Sequence, residues 1–172
     1  MDLWTAIERR CSVRRFSSAE VSASTVHKIL EAAIRAPSAG NRQPWQFIVV
    51  RRAEVKQALA QAAYGQDFVV EAPVVIVVCA DPERSAMRYG ARGRELYCLQ
   101  DTAAATEHIL LAATALGLGC CWVGAFDEKA AARALMLPGH LRAVAIVPIG
   151  QPAEPMERTP RRPLSEVTSF LE

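Results

Sequence analysis

Residues 36–47 read APSAGNRQPWQF, and the reading of this stretch decides the fold. It follows a helix-like run and precedes a strand-like one. Pro37 ends the helix, because a proline ring clashes with the preceding turn and biases its neighbour away from α. Ser38, Ala39, Gly40 and Asn41 are small enough to let backbone approach a flat ligand closely. Gly40 and Asn41 also tolerate positive φ. Gln43 adds an amide with two donors and an acceptor. Pro44 launches the strand that begins at Trp45. Taken alone, the stretch equally suits an ordinary capped connection between a helix and a strand.

Working outward, Ser22 is an N-cap for a helix to Ala36, with Val26, Ile29, Leu30, Ala33 and Ile34 on its apolar face. Upstream, Asp2–Arg10 reads as a short helix with Leu3, Ala6, Ile7 and Arg10 on one face. The chain then runs extended through Ser12–Phe16. Downstream, Trp45–Val50 is mostly apolar, as a central strand is. Glu54–Ala63 is an alanine-rich helix broken at Gly65. PVVIVVCA, residues 73–80, is the clearest buried strand. Asp81–Arg94 reads as a polar connection. Leu96–Leu116 is a long helix of about 30 Å, apolar almost all round after Ala103 and so expected to be buried on several sides. Cys120–Gly124 and Leu141–Ile149 are further strands, and Asp127 caps a helix through Leu135. Residues 150–172 form an extended, proline-rich arm.

The 172 residues suit one domain with a real core, and 51% apolar against 22% charged residues describes a globular chain. A net charge of +2 excludes an argument for nucleic acid. The arginines are concentrated instead: Arg9, Arg10, Arg14 and Arg15 near the start, and Arg35, Arg51 and Arg52 beside the loop. That pattern favours a small anion such as a phosphate. Five cysteines, with no C-x-x-C, read as buried reduced thiols of a cytoplasmic protein rather than a disulfide framework or a metal site. Residues 109–126 carry no charge, but Gly117, Gly119 and Gly124 interrupt them. The run is the end of a core helix plus a strand, not a membrane span.

The N-terminal segment RRCSVRRF (9–16), the loop APSAGNRQPWQF, the run GLGCCWVGAF (117–126) and the tail RTPRRPLSEV (158–167) together resemble the flavin-dependent nitroreductase family over nearly the whole chain. The resemblance implies an α+β fold: a three-layer α/β/α arrangement around a mixed, largely antiparallel sheet, over a single domain 1–172. It implies a homodimer whose arm (150–172) is exchanged between subunits, with Val167–Leu171 adding a strand to the partner's sheet. Two FMN molecules would lie in the dimer interface. Arg10, Cys11, Ser12 and Arg14 match the flavin-contacting N-terminal motif, Cys11 by backbone only. Arg14 stands where a cation supports the negative charge of the reduced ring. Pro37, Ser38, Ala39, Gly40, Asn41 and Gln43 match the loop that reaches the other subunit's flavin. Gln66 is the amide for the flavin ring, Gly124 and Ala125 pass its N5 edge, and Arg161, or its neighbour Arg162, meets the phosphate. Gly124 departs from the glutamate of many larger relatives, which leaves the substrate range open.

The implied activity is hydride transfer from NAD(P)H, through FMN, to an electron-poor acceptor such as a nitroaromatic or quinone. No side chain need act as nucleophile, and no metal is required. Two alternatives stay open on the same residues. One is different flavin chemistry, such as dehalogenation or dehydrogenation. The other is a non-catalytic FMN-binding module.

Overall fold

Val74–Ala80 is apolar at every position, so neither of its faces can meet water, and it forms the inner strand β2 with all seven residues buried. A computed structural model describes residues 1–156 and 158–171 of the chain. Within it β2 pairs antiparallel with β1 (Trp45–Val50) on one side and with β4 (Arg142–Gly150) on the other. β4 in turn pairs antiparallel with the short β3 (Gly119–Cys120), giving the order β1-β2-β4-β3.

Side chains alternate across a strand, and β2 therefore feeds two cores. Val75, Val77 and Cys79 join Leu59, Val69, Ala131 and Ile146 on one face. Val74, Ile76 and Val78 join Val26, Ile29, Ile109 and Ala113 on the other. The first face is covered by α3 (Ala53–Ala62), α4 (Phe68–Glu71) and α7 (Glu128–Leu135). The second is covered by α2 (Ala23–Ala33) and the long α6 (Cys98–Ala115). This is the three-layer α/β/α arrangement. The strand pairs are antiparallel, and among the described residues the parallel element is a single bridge between Ser12 and Cys120.

The helix starts follow their caps. Asp2, Ser22 and Asp127 each accept a hydrogen bond from the backbone N–H three residues on, at Thr5, Thr25 and Ala130. α6 ends at Gly117, whose φ of 79° a side chain would resist. Leu118 N–H returns to Ala113 O at 2.9 Å, and the chain enters β3. The uncharged run is thus a helix end plus a strand, and among the described residues no helix is long and apolar enough to cross a membrane. Residues 101–115 of α6 are buried or half-buried throughout.

Three expectations are corrected. Trp45–Val50 is an edge strand, not a central one, and only Val50 is fully buried. Apolar content misled, because β1 packs one face and leaves its ladder edge open. Asp81–Arg94 is not an irregular connection but mostly helix α5 (Pro82–Arg92), followed by a π-type turn at Gly93–Tyr97 that runs into α6. Asp81 caps it by accepting from Arg84 N–H, and Pro82 occupies the first turn, where its missing donor costs nothing. Gly90, at φ 56° and ψ −138°, kinks it. Finally, α2 stops at Ala33, short of Ala36, and leaves Ile34 exposed; on α1 (Leu3–Arg9) Leu3 and Ile7 are exposed while Ala6 is buried.

Candidate functional site

The N-terminal arginines are placed by one extended segment. Ser12 bridges β3 at Cys120, Val13 N–H donates to Cys120 O at 2.9 Å, and Phe16 bridges Pro152 of the arm. Extended backbone alternates its side chains. Cys11 and Val13 turn into the core while Ser12 and Arg14 turn out; past Arg14 the alternation slips by one, so that Arg15 is also exposed and Phe16 returns to the core. Ser12 and Arg14 turn into a cavity of about 750 Å³ lined by Arg10, Cys11, Ser12, Arg14, Arg15 and, from the arm, Glu154, Met156, Thr159 and Arg161. That volume is in the range of small-molecule sites, roughly 300–1,000 Å³.

The charge in this cavity is lopsided. Among the described residues, four guanidinium groups face one lining carboxylate, Glu154, which lies 3.6 Å from Arg15 Nε. Arg10 and Arg14 have no ion-pair partner among the described residues. Arg161 lines the wall and donates from Nη1 to Thr159 O and Oγ1, both at 2.9 Å. Arg162 instead pairs with Glu166 at 3.2 Å. The field of these cations is felt behind the wall. Burial pushes the Cys121 thiol up, opposed by Arg14, the Ser12 hydroxyl and Arg10. Burial likewise raises the Glu107 carboxyl on α6, opposed by Arg10 and His108. Cys120, the bridge partner of Ser12, is pushed up to about 12 by burial. All five cysteines are free and buried, so the polar groups the cavity presents beside Glu154 are guanidiniums and hydroxyls.

Gln66 and Ala125 are brought together. The Gln66 amide donates to Ala63 O at 3.0 Å and to Ala125 O at 3.2 Å. Gly124 beside it is exposed, and a Cβ built there would meet only Trp122 Nε1, at 3.8 Å. A side chain such as glutamate would therefore find space at Gly124.

The 36–44 loop folds as a one-turn 3₁₀ helix at Ala39–Asn41. Ser38 Oγ accepts from Gln43 N–H at 2.9 Å, and Gln43 Nε2 reaches Asn41 Oδ1 at 3.1 Å. Gly40 and Asn41 hold φ of 55°, as expected of them, and Gln43 joins them at 51°. A Cβ at Gly40 would run into Tyr89 Oη. Arg42 and Arg84 exchange hydrogen bonds, each Nε donating to the other's carbonyl, which fastens the loop to α5.

Pro37, Ser38, Ala39, Gly40, Asn41 and Gln43 do not line the arginine cavity. The loop leads into β1, and Ser12 adjoins β3, so the two motifs sit at opposite edges of the sheet. Four strand spacings, from β1 to the Ser12 segment beyond β3, make that roughly 19 Å across the sheet within one chain. Sequence reasoning also missed three participants. Arg15 lines the cavity, although alternation with Arg14 would have turned it away. Glu154 carried no motif. Asp101, one of two acids in the mostly apolar α6, accepts from Ala39 N–H at 3.0 Å.

A family model described as "Nitroreductase family" matches residues 7–66 and 61–151. An Archaeoglobus fulgidus protein, whose name pairs NADH dehydrogenase with NAD(P)H nitroreductase, is 39% identical over 86% of this chain and 84% of its own. A Bacillus subtilis protein named FMN reductase [NAD(P)H] is 29% identical over 91% of this chain and 68% of its own. The crystal structure of a nitroreductase family protein from Clostridium novyi superposes with a TM-score of 0.82 at 36% identity, covering 90% of this chain and 87% of that one. The motifs, the layered fold and these likenesses agree over the same residues: the chain belongs to the nitroreductase family.

Proposed function

We propose that this protein is an FMN-dependent oxidoreductase that draws hydride from NAD(P)H and delivers it to an electron-poor acceptor such as a nitroaromatic or quinone. The observation that carries the reading is the cavity in which Arg10, Arg14 and Arg161 gather from both ends of the chain. Its donor set, guanidinium forks and a hydroxyl at Ser12 against one lining carboxylate among the described residues, fits a phosphate-bearing cofactor. FMN, when bound, supplies the hydride chemistry. Arg10, Ser12 and Arg161 hold the phosphate and the polar edge. Arg14 supplies positive charge where negative charge accumulates on reduction. Gln66 steadies the Gly124–Ala125 backbone through Ala125 O. Cys121 and Cys120 stay protonated and do not compete as nucleophiles.

The reading includes a homodimer. One chain holds its Pro37–Gln43 turn at the sheet edge away from its own cavity. A second copy is then the source of that turn for each site. Leu164, Val167, Phe170 and Leu171 of the arm are all strongly exposed in the single chain, and burying them against a partner would be favourable.

The test is purification followed by an absorption spectrum and anaerobic mixing with NADH or NADPH. A yellow protein, bleached by either nucleotide and recoloured by a quinone, is the expected result. Protein that stays colourless with added FMN overturns the reading, and bound flavin that neither nucleotide reduces overturns its catalytic part.

A further inference from the structure

The turn at Ala39–Asn41 is held in disfavoured backbone. Gly40, Asn41 and Gln43 lie at φ of 51–55°, and two of them carry side chains. Such conformations persist where the surroundings over-determine them. On the α5 side, the Arg42–Arg84 exchange is exposed to solvent. On the α6 side, the tie is buried: Asp101, only 6% exposed, accepts from Ala39 N–H across 62 positions of sequence. Its other oxygen, Oδ2, is buried with no partner among the described residues.

A carboxyl kept in this state is costly, and an apolar side chain would fill the same place more cheaply. Among the described residues its one tertiary hydrogen bond goes to the loop. Asp101 does not line the arginine cavity. We propose that Asp101 is a positioning residue for the cofactor site: through Ala39 N–H it fixes the Ala39–Asn41 turn in the shape that meets FMN, without touching FMN itself. The proposal rests on the FMN reading above.

The same bond can be deleted from either end. Asp101→Ala removes the acceptor. Ala39→Pro removes the donor, and the site suits proline: Ala39 is the first residue of the turn, and Ser38 before it lies at φ −143°, ψ 150°, which proline's neighbour favours. Asp101→Asn keeps an acceptor oxygen for Ala39. FMN is titrated into flavin-stripped wild type, the three variants and the Asp101→Ala/Ala39→Pro double variant, and thermal unfolding of each flavin-free protein is recorded.

Asp101→Ala and Ala39→Pro are each expected to weaken FMN about tenfold, the order of one hydrogen bond to a charged group. The double variant should be no weaker than either single one, and Asp101→Asn should stay within about threefold of wild type. An Asp101→Ala protein that loses thermal stability but binds FMN as wild type does overturns the proposal. So does full additivity in the double variant, or an Asp101→Asn as weak as Asp101→Ala. If Asp101→Ala does not fold, an unchanged FMN affinity in Ala39→Pro overturns it and a tenfold loss supports it. Wild-type protein that takes up no FMN is a separate result, and it overturns the cofactor reading itself.

Discussion

Gln66 Nε2 donates to Ala125 O at 3.2 Å, joining the turn after α3 to the segment after β3 across 59 positions of sequence. The same amide donates to Ala63 O at 3.0 Å, so its two hydrogens are both engaged. Two segments with no ladder between them are thereby tied by this side chain, beside the backbone bond from Asp127 N–H to Ala62 O at 2.8 Å. Loss of that amide should loosen both.

Gln66→Ala is expected to lower stability by about 1 kcal/mol, since each net hydrogen bond contributes roughly 0.5–1.5 kcal/mol. For a chain of this size that is a fall of about 2–4 °C in thermal midpoint. Gln66→Glu sets acceptors against acceptors and should lose at least as much. Thermal unfolding of the flavin-free protein checks both, and a Gln66→Glu protein as stable as wild type contradicts the role.

Arg161 and Arg162 are neighbours with different surroundings. Arg161 lines the cavity, while Arg162 is paired with Glu166. Arg161→Ala is expected to weaken FMN about tenfold, or ~1.4 kcal/mol, and Arg162→Ala by no more than about twofold. Arg14→Ala should match Arg161→Ala, and wild-type affinity should fall as salt is raised. Flavin titration at two ionic strengths gives the ranking, and the reverse order for Arg161 and Arg162 would remove Arg161 from the phosphate site.

Burial raises the Asp101 carboxyl above its ordinary 3.8, against the lowering effect of Ala39 N–H. A folded pKa above the unfolded one means that the folded state holds the proton more tightly. The associated stability is present in full below the unfolded value and is lost as pH rises through the folded value. Asp2, Glu83 and Asp127 are shifted the other way by their hydrogen bonds and partners, so the wild-type profile alone mixes both signs. The comparison with Asp101→Asn isolates the buried group. Wild type is expected to lose stability relative to Asp101→Asn as pH is raised from about 3.8 upward. Denaturant unfolding at a series of pH values measures it, and a constant difference between the two proteins would show that the carboxyl does not titrate abnormally.

Gly40 combines φ of 55° with close approach to Tyr89 and Arg88. Gly40→Ala is expected to cost about 1–2 kcal/mol, through backbone preference and the clash together. Adding Tyr89→Ala should recover the steric part and leave the backbone part. If the double variant is no more stable than Gly40→Ala alone, the clash with Tyr89 is not the cause.

The helix caps at Asp2, Ser22 and Asp127, the buried strand β2 and the glycine stop after α6 were legible because each is a local matter. A side-chain oxygen three residues before a free N–H, an unbroken apolar run, and a glycine after a helix act within a few residues. The helix α5 was obscured by Gly90 and Gly93, which read as loop signals, while the start signal Asp81–Pro82 was passed over. The edge position of β1 is hidden in the sequence because composition reports how apolar a strand is, not whether both its edges are paired.

By itself the sequence determined the layered α+β fold, the small-residue turn, the N-terminal arginines and the family they resemble. Only the tertiary structure decided which of these meet. It set Arg161 beside Arg10, aimed Arg15 and Glu154 into the same cavity, tied Gln66 to Ala125 and Asp101 to Ala39, and sent the turn to the opposite sheet edge. Those pairings span tens of residues, and no short-range preference encodes them. They follow from strand order and from the packing of α6 across the sheet, which exist only once the whole core has closed.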